Sequence, residues 1–229
     1  MPTLLTIHVK NLTPTPRKFF IFQKPAIYVG GQKVYTNSAY SQELAPSTPD
    51  NEKLLTFQVN MQFHAGLQQA HSTPVVGESS GYETSSVKID IAPIKGTAAD
   101  STKATLDPLG LSNAVFDKDV QKGAFRIYVP PFAPNKHYNV GSAVETGDGS
   151  NVLSNFIPAE ASVAVDCEPI LQFYVATGDY TPGTVMDFTE KGENAALCDF
   201  TGGYDVINIT MKDNGTWAAP ERLSEKASA

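Results

Sequence analysis

Cysteine is nearly absent from this chain of 229 residues, which has only Cys167 and Cys198. No disulfide framework can hold it together, and the two thiols read as buried side chains or as one bridge in an oxidising compartment. Histidine is almost as scarce, at four residues, and there is a single tryptophan. No run approaches the roughly eighteen consecutive apolar residues of a membrane-spanning helix. Basic residues are the minority: 17 Lys and Arg against 24 Asp and Glu leave a net charge of −7. Such a surface lacks the positive patches that neutralise phosphates, so neither nucleic acid nor an anionic membrane is expected as a partner. The first residues, Met1 to Lys10, lack the basic start, apolar stretch and small-residue cleavage site of a secretory signal. A cytoplasmic location is the expectation, with secretion by another route left open.

What the sequence does have is alternation. Leu55, Phe57, Val59, Met61 and Phe63 fall on one face of an extended segment, with Thr56, Gln58, Asn60 and Gln62 on the other. A helix would scatter these side chains around its circumference, whereas a strand sorts them into a dry and a wet face. Leu5, Ile7 and Val9 repeat the pattern, as do Val87–Ile91, Phe125–Val129 and the run around Ile207, Ile209 and Met211. Lys18–Gln23 is aromatic on both faces, as a central strand covered on both sides requires. Tyr138–Val144, Ser162–Asp166, Ile170–Thr177, Gly183–Phe188 and Ala195–Thr201 are further strand candidates. Seventeen glycines and sixteen prolines punctuate these segments.

The fold class that follows is all-β: an antiparallel β-sandwich of two sheets, Greek-key or jelly-roll-like, with long loops and little helix. A chain of this length buries a sufficient core without a metal or disulfide staple. Residues 1–219 read as one sandwich domain and residues 220–229 as a polar tail. A short helix fits Ser38–Leu44 or Glu221–Lys226. Three connections look long, at Ser38–Lys53, His64–Thr84 and Pro93–Lys122. The last carries Leu106, Leu109, Leu111, Val115 and Phe116, apolar enough to fold back over one end of the sandwich.

Candidate chemistry is sparse. His64, His71 and His137 fall at expected strand ends and could hold zinc, iron or copper, with Glu78 or Glu83 adding a carboxylate. Their spacing matches no established metal motif. Gly77-Glu78-Ser79-Ser80-Gly81 matches the Gly-x-Ser-x-Gly of a nucleophile elbow but leads into a strand instead of the helix that geometry needs. The Glu145–Asn151 turn offers oxygen donors without the ordered spacing of a calcium loop. Cys167, between Asp166 and Glu168, has neighbours that disfavour its thiolate. Asn11, Asn208 and Asn214 open glycosylation triplets, which matter only in a secretory pathway. Tyr35, Tyr40 and Tyr82 lie in or beside polar segments and are the candidate ligand-binding rings, since aromatic groups bring large contact area at low entropy cost.

Two functions of different kind therefore compete. The first is a non-enzymatic binding or self-associating module whose partner is a protein, another copy of itself, or a carbohydrate. The polar row of Gln58, Asn60 and Gln62 makes pairing into a homo-oligomer a specific expectation. The second is a metal-dependent enzyme acting on a small molecule through the three histidines. A metal-free scaffold enclosing an apolar metabolite is a third reading. Beyond that metal, no cofactor is identifiable from the residues.

Overall fold

The computed structural model describes residues 4–30, 32–146 and 149–224. Its strands begin with β1 (Leu4–Asn11), β2 (Arg17–Gln23), β3 (Ile27–Tyr28), β4 (Tyr35–Leu44), β5 (Leu54–Asn60) and β6 (His64–Ala70). There follow β7 (Glu83–Lys88), β8 (Ser101–Leu106), β9 (Leu109–Leu111), β10 (Phe125–Tyr128), β11 (His137–Glu145) and β12 (Asn151–Pro158). The last are β13 (Ala164–Glu168), β14 (Gln172–Thr177), β15 (Val185–Met186), β16 (Ala196–Asp199), β17 (Val206–Met211) and β18 (Glu221–Leu223). One helix, α1 (Phe188–Glu193), separates β15 from β16 and is capped by the Asp187 carboxylate, which accepts from the Glu190 N–H.

The all-β expectation holds, but with three sheets in place of two. The largest runs β16-β14-β2-β4-β12-β11-β6-β7, with β15 added against β4. The second is β18-β17-β1-β5 and the third β3-β13-β10-β8-β9. Pairing is antiparallel except for β1 with β17 and β8 with β10.

Both smaller sheets cover the same face of the large one. Leu5, Ile7 and Val9 of β1 and Leu55 and Phe57 of β5 pack with Phe19, Ile21, Phe173, Val175 and Val144. Phe125, Ile127 and Val165 of the third sheet pack with Ala65, Leu67, Val140 and Ile157. Val140 and Val144 lie four residues apart on β11, hence on one face of its strand, although they serve different cores. The opposite face is covered by loops. Phe20 and Phe22 meet Tyr180 and Phe188 there, and Leu153 and Phe156 meet Val185. Lys18–Gln23 is therefore the doubly covered central strand its aromatic run predicts.

A buried polar seam lies beside the two cores. Ser154 Oγ and Asn155 Nδ2 donate to Gln23 Oε1 at 2.7 and 3.3 Å, and Gln23 Nε2 donates to the Ile170 carbonyl. Asn155 Oδ1 accepts from the Ala26 N–H and from Tyr28 OH. A bulge makes this arrangement possible: Ser142 of β11 stands opposite Asn155 and Ala143 opposite Leu153, leaving Ser154 as the extra residue. The insertion turns Ser154 and Asn155 to the same side, while Leu153 and Phe156 face the loops. Close packing at the seam requires glycine at 141, where a Cβ would run into the Asn155 carbonyl and the Tyr28 hydroxyl.

Several sequence expectations are corrected. Ser38–Leu44 is not helical but the body of β4, central in the large sheet. A second bulge, with Ile21 opposite Tyr40 and Phe22 opposite Ser38, inserts Ala39 and erases the alternation that would have marked it. Glu221–Leu223 is likewise strand, pairing with β17 inside the segment read as a tail, and residues 225–229 lie outside the described residues. The long connections contain strands: β6 within His64–Thr84, β8 and β9 within Pro93–Lys122. Leu106, Leu109 and Leu111 do pack on the third sheet's core, whereas Val115 and Phe116 remain about half exposed.

Replacing Asn155 with alanine should orphan the Ala26 N–H, at about 1–3 kcal/mol for the group left unpaired, while the Tyr28 hydroxyl keeps the main-chain carbonyl of residue 155 as its acceptor at 2.9 Å. Urea unfolding should show a lowered midpoint with an unchanged slope. A wild-type midpoint would mean that the seam contributes nothing to stability.

Candidate functional site

Main-chain parity on β1 defines what β5 offers. The Thr6 N–H donates to Asp205 and the Leu12 N–H to Met211, so even-numbered residues of β1 bond toward β17. Odd-numbered residues then bond toward β5, pairing Leu5 with Val59, Ile7 with Phe57 and Val9 with Leu55. It follows that the N–H and C=O groups of Leu54, Thr56, Gln58 and Asn60 point away from β1. No main-chain hydrogen bond meets them there among the described residues.

Other sheet edges are blunted in ways that discourage a further strand. β3 has two residues, β9 and β18 three each, and β16 four. β7 has six residues but carries Glu83 and Lys88 at its ends. β5 has seven, with neither a charge nor a proline. Among the described residues it is the longest edge strand and the one without a charge, a proline or short length to protect it.

A recess of about 90 Å³ opens beside this edge, between β5 and the large sheet. Ile21, Ala39, Tyr40, Phe57 and Val144 form apolar walls, and Thr56, Gln58 and Glu145 contribute polar groups. Tyr40 stands edge-on to Phe57, with ring centroids 4.8 Å apart, and its hydroxyl donates to Gln42 at 2.9 Å. The β4 bulge sets this wall, because it turns both Ala39 and Tyr40 toward the β1–β5 sheet. The space suits a single apolar side chain or a comparably small group.

The histidines are not gathered. His64 begins β6 and His71 follows its last residue, so seven residues of extended chain, about 23 Å, separate them. His137 lies opposite Ala70 and shares the His71 end of the sheet. Among the described residues no group of three His, Cys, Asp or Glu side chains is placed to hold a metal. His71 stacks on Tyr82, with centroids 4.3 Å apart. His64 is buried, its Nε2 stands 4.0 Å from Glu145 Oε2, and its Nδ1 has no hydrogen-bond partner. Burial pushes its pKa down, against the pull of Glu145 and of the Gln62 carbonyl, while Lys88 adds to the depression.

Nor do the tyrosines form a platform. Tyr35 stacks on Phe156 at the loop-covered face, Tyr40 faces the opposite side, and Tyr82 lies exposed beyond the far end of β6. Ser79 Oγ donates to the Gly81 carbonyl, and Ser80, buried, accepts from Asn37 Nδ2, so Gly77–Gly81 is a loop without an activated hydroxyl. Of the proposed calcium turn, Gly147 and Asp148 lie outside the described residues. Cys167 and Cys198 are free, belong to separate cores, and have pKa values that burial pushes up to about 12. Both thiols are unreactive at neutral pH. Asn11 is fully buried and donates its amide to Thr15 and Leu44, which leaves it no room for a glycan in the folded chain.

Sequence reasoning missed Ile21 and Glu145 as neighbours of Tyr40, because they come from β2 and β11. It missed Ala39 as a second residue of the same wall, because only the β4 bulge turns it to the side of Tyr40. Gln62 leaves the polar row expected of it, since β5 ends at Asn60 and Gln62 turns to donate to Phe63 and Ile89. Compared with known protein families, with characterised proteins and with solved structures, the chain matches none.

His64 gives the fold a pH dependence of definite sign. Unfolded, its imidazole titrates near 6.5; folded, it titrates lower. Above 6.5 both states are neutral and the residue costs nothing. As pH falls through 6.5 the unfolded chain takes up a proton that the folded chain refuses, so stability drops until the folded pKa is reached. Urea unfolding from about pH 8 to about pH 5 should show a shallower decline for His64→Gln than for the wild type. Parallel curves would show that the imidazole is not held neutral.

Proposed function

We propose that the protein is a non-enzymatic interaction module that receives an extended polypeptide along β5, with one apolar side chain entering the adjoining recess. The observation that carries this reading is the unpaired, uncharged, proline-free edge of β5 beside an apolar opening. Strand addition supplies main-chain hydrogen bonds for affinity, and pockets for alternate side chains supply selectivity. A carbohydrate is the weaker partner, because Tyr35, Tyr40 and Tyr82 point in three directions and offer a sugar ring no shared stacking surface. A metal-dependent reaction has less support than either, given the distance between His64 and His71.

The test is a selection from a phage-displayed peptide library on the wild-type chain, counter-selected on Thr56→Pro. That substitution removes an N–H from the free edge while leaving the ladder to β1 intact. Recovered peptides should alternate apolar and polar residues. They should bind the variant on the order of tenfold more weakly, the loss expected for a missing main-chain bond. Peptides that bind both proteins equally would overturn the reading. Hydrogen exchange on the dilute, unliganded chain provides an independent check: Thr56, Gln58 and Asn60 amides should exchange quickly, and those of Leu55, Phe57 and Val59 slowly.

A further inference from the structure

The partner of that edge can be specified, on the basis of the docking role just proposed for β5. We infer that the strand seated on β5 is β5 of a second copy, paired antiparallel about a two-fold axis through Phe57.

The register follows from parity. The outward main-chain groups belong to Leu54, Thr56, Gln58 and Asn60, so closely bonded pairs across the axis must join even-numbered residues to even-numbered ones. Among registers that satisfy this, the one centred on Phe57 brings all seven residues of β5 opposite one another. Thr56 then faces Gln58 of the partner copy, and Leu54 faces Asn60. On the inward side Leu55 faces Val59, and Phe57 faces its own equivalent. The central pairs are matched: the Thr56 hydroxyl meets the Gln58 amide on the wet side, and aliphatic and aromatic groups meet on the dry side. The outer Leu54–Asn60 pair sets an exposed aliphatic side chain beside an amide.

Charge does not oppose a copy of the same chain at the contact itself, despite its net −7. No ionisable residue lies between Leu54 and Asn60. In this register Lys53 faces Met61 and Glu52 faces Gln62, so no like charges are opposed between the paired segments, and the nearest carboxylate, Glu145, lies in the recess beside them. The interface is isologous and closes on itself after one pairing. Two four-stranded sheets become a single eight-stranded one, which removes the edge left unprotected among the described residues.

Sedimentation equilibrium on the full chain, from micromolar to millimolar concentration, tests this with two paired variants. The wild type should pass from 24.6 kDa to twice that mass. Thr56→Lys with Gln58→Lys sets like charges opposite each other and should stay monomeric throughout. Thr56→Lys with Gln58→Glu sets opposite charges face to face in this register alone and should restore the dimer, more weakly as salt rises. Circular dichroism identifies any variant that fails to fold, and Thr56→Pro then stands in for it as the monomeric form. A wild type that is monomeric at every concentration overturns the inference, as does a dimer that both charge variants leave unchanged. If that monomer still captures peptides sensitive to Thr56→Pro, the docking role stands and only the identity of the partner fails. If it captures none and its even-numbered edge amides are protected, both fail together.

Discussion

The large sheet is wide, and its central strands carry bulky side chains on both faces, which must both be kept from water. Phe19 and Ile21 need cover on one side and Phe20 and Phe22 on the other. Among the described residues no second sheet of equal width provides it. Two smaller sheets therefore share one face, and two long loops with α1 close the other. Gln23, Ser154 and Asn155 satisfy one another in the buried seam beside the two cores, so polar groups taken out of water there are not left bare. The position of β5 follows from the same division, because it is the outermost strand of the sheet that covers only part of the shared face.

The fold class was legible because alternation is a direct record of one-sided burial. Leu5, Ile7 and Val9, or Ile207, Ile209 and Met211, could belong to nothing else. The two central strands β4 and β12 were illegible for a common reason. Each contains a bulge, and each loses the period of two at Ala39 and at Ser154. Residues 38–44 also have a helix-compatible composition, overridden by pairing with β2. β6 escaped notice because its loop-facing side presents His64, Gly66 and Gln68, none of which looks apolar, yet all are buried.

The site divides in the same way. The β5 edge was half visible: a strand free of charge and proline, with a polar row suited to pairing, stood in the sequence. Whether it lies at an edge or in a sheet interior depends on β17, about 150 residues further on, completing the other side of β1. The recess was invisible, since Ile21, Tyr40, Phe57 and Val144 come from four strands. The histidines misled because a strand end says nothing about which end. β6 carries His64 and His71 to opposite limits of the sheet, and length alone separates them.

The parallel pairing of β1 with β17 joins residues 6–11 to residues 206–211. On a ribosome adding about 5–20 residues per second, β1 waits on the order of 10–40 seconds before its second neighbour is made. Throughout that interval Leu5, Ile7 and Val9 have β5 beside them but an incomplete layer around them. The nascent polypeptide thus emerges with two sticky strands and only one mutual contact to occupy them. The first sheet is completed only once β17 has been made, so shielding during translation matters more for this topology than for one whose neighbours follow in order.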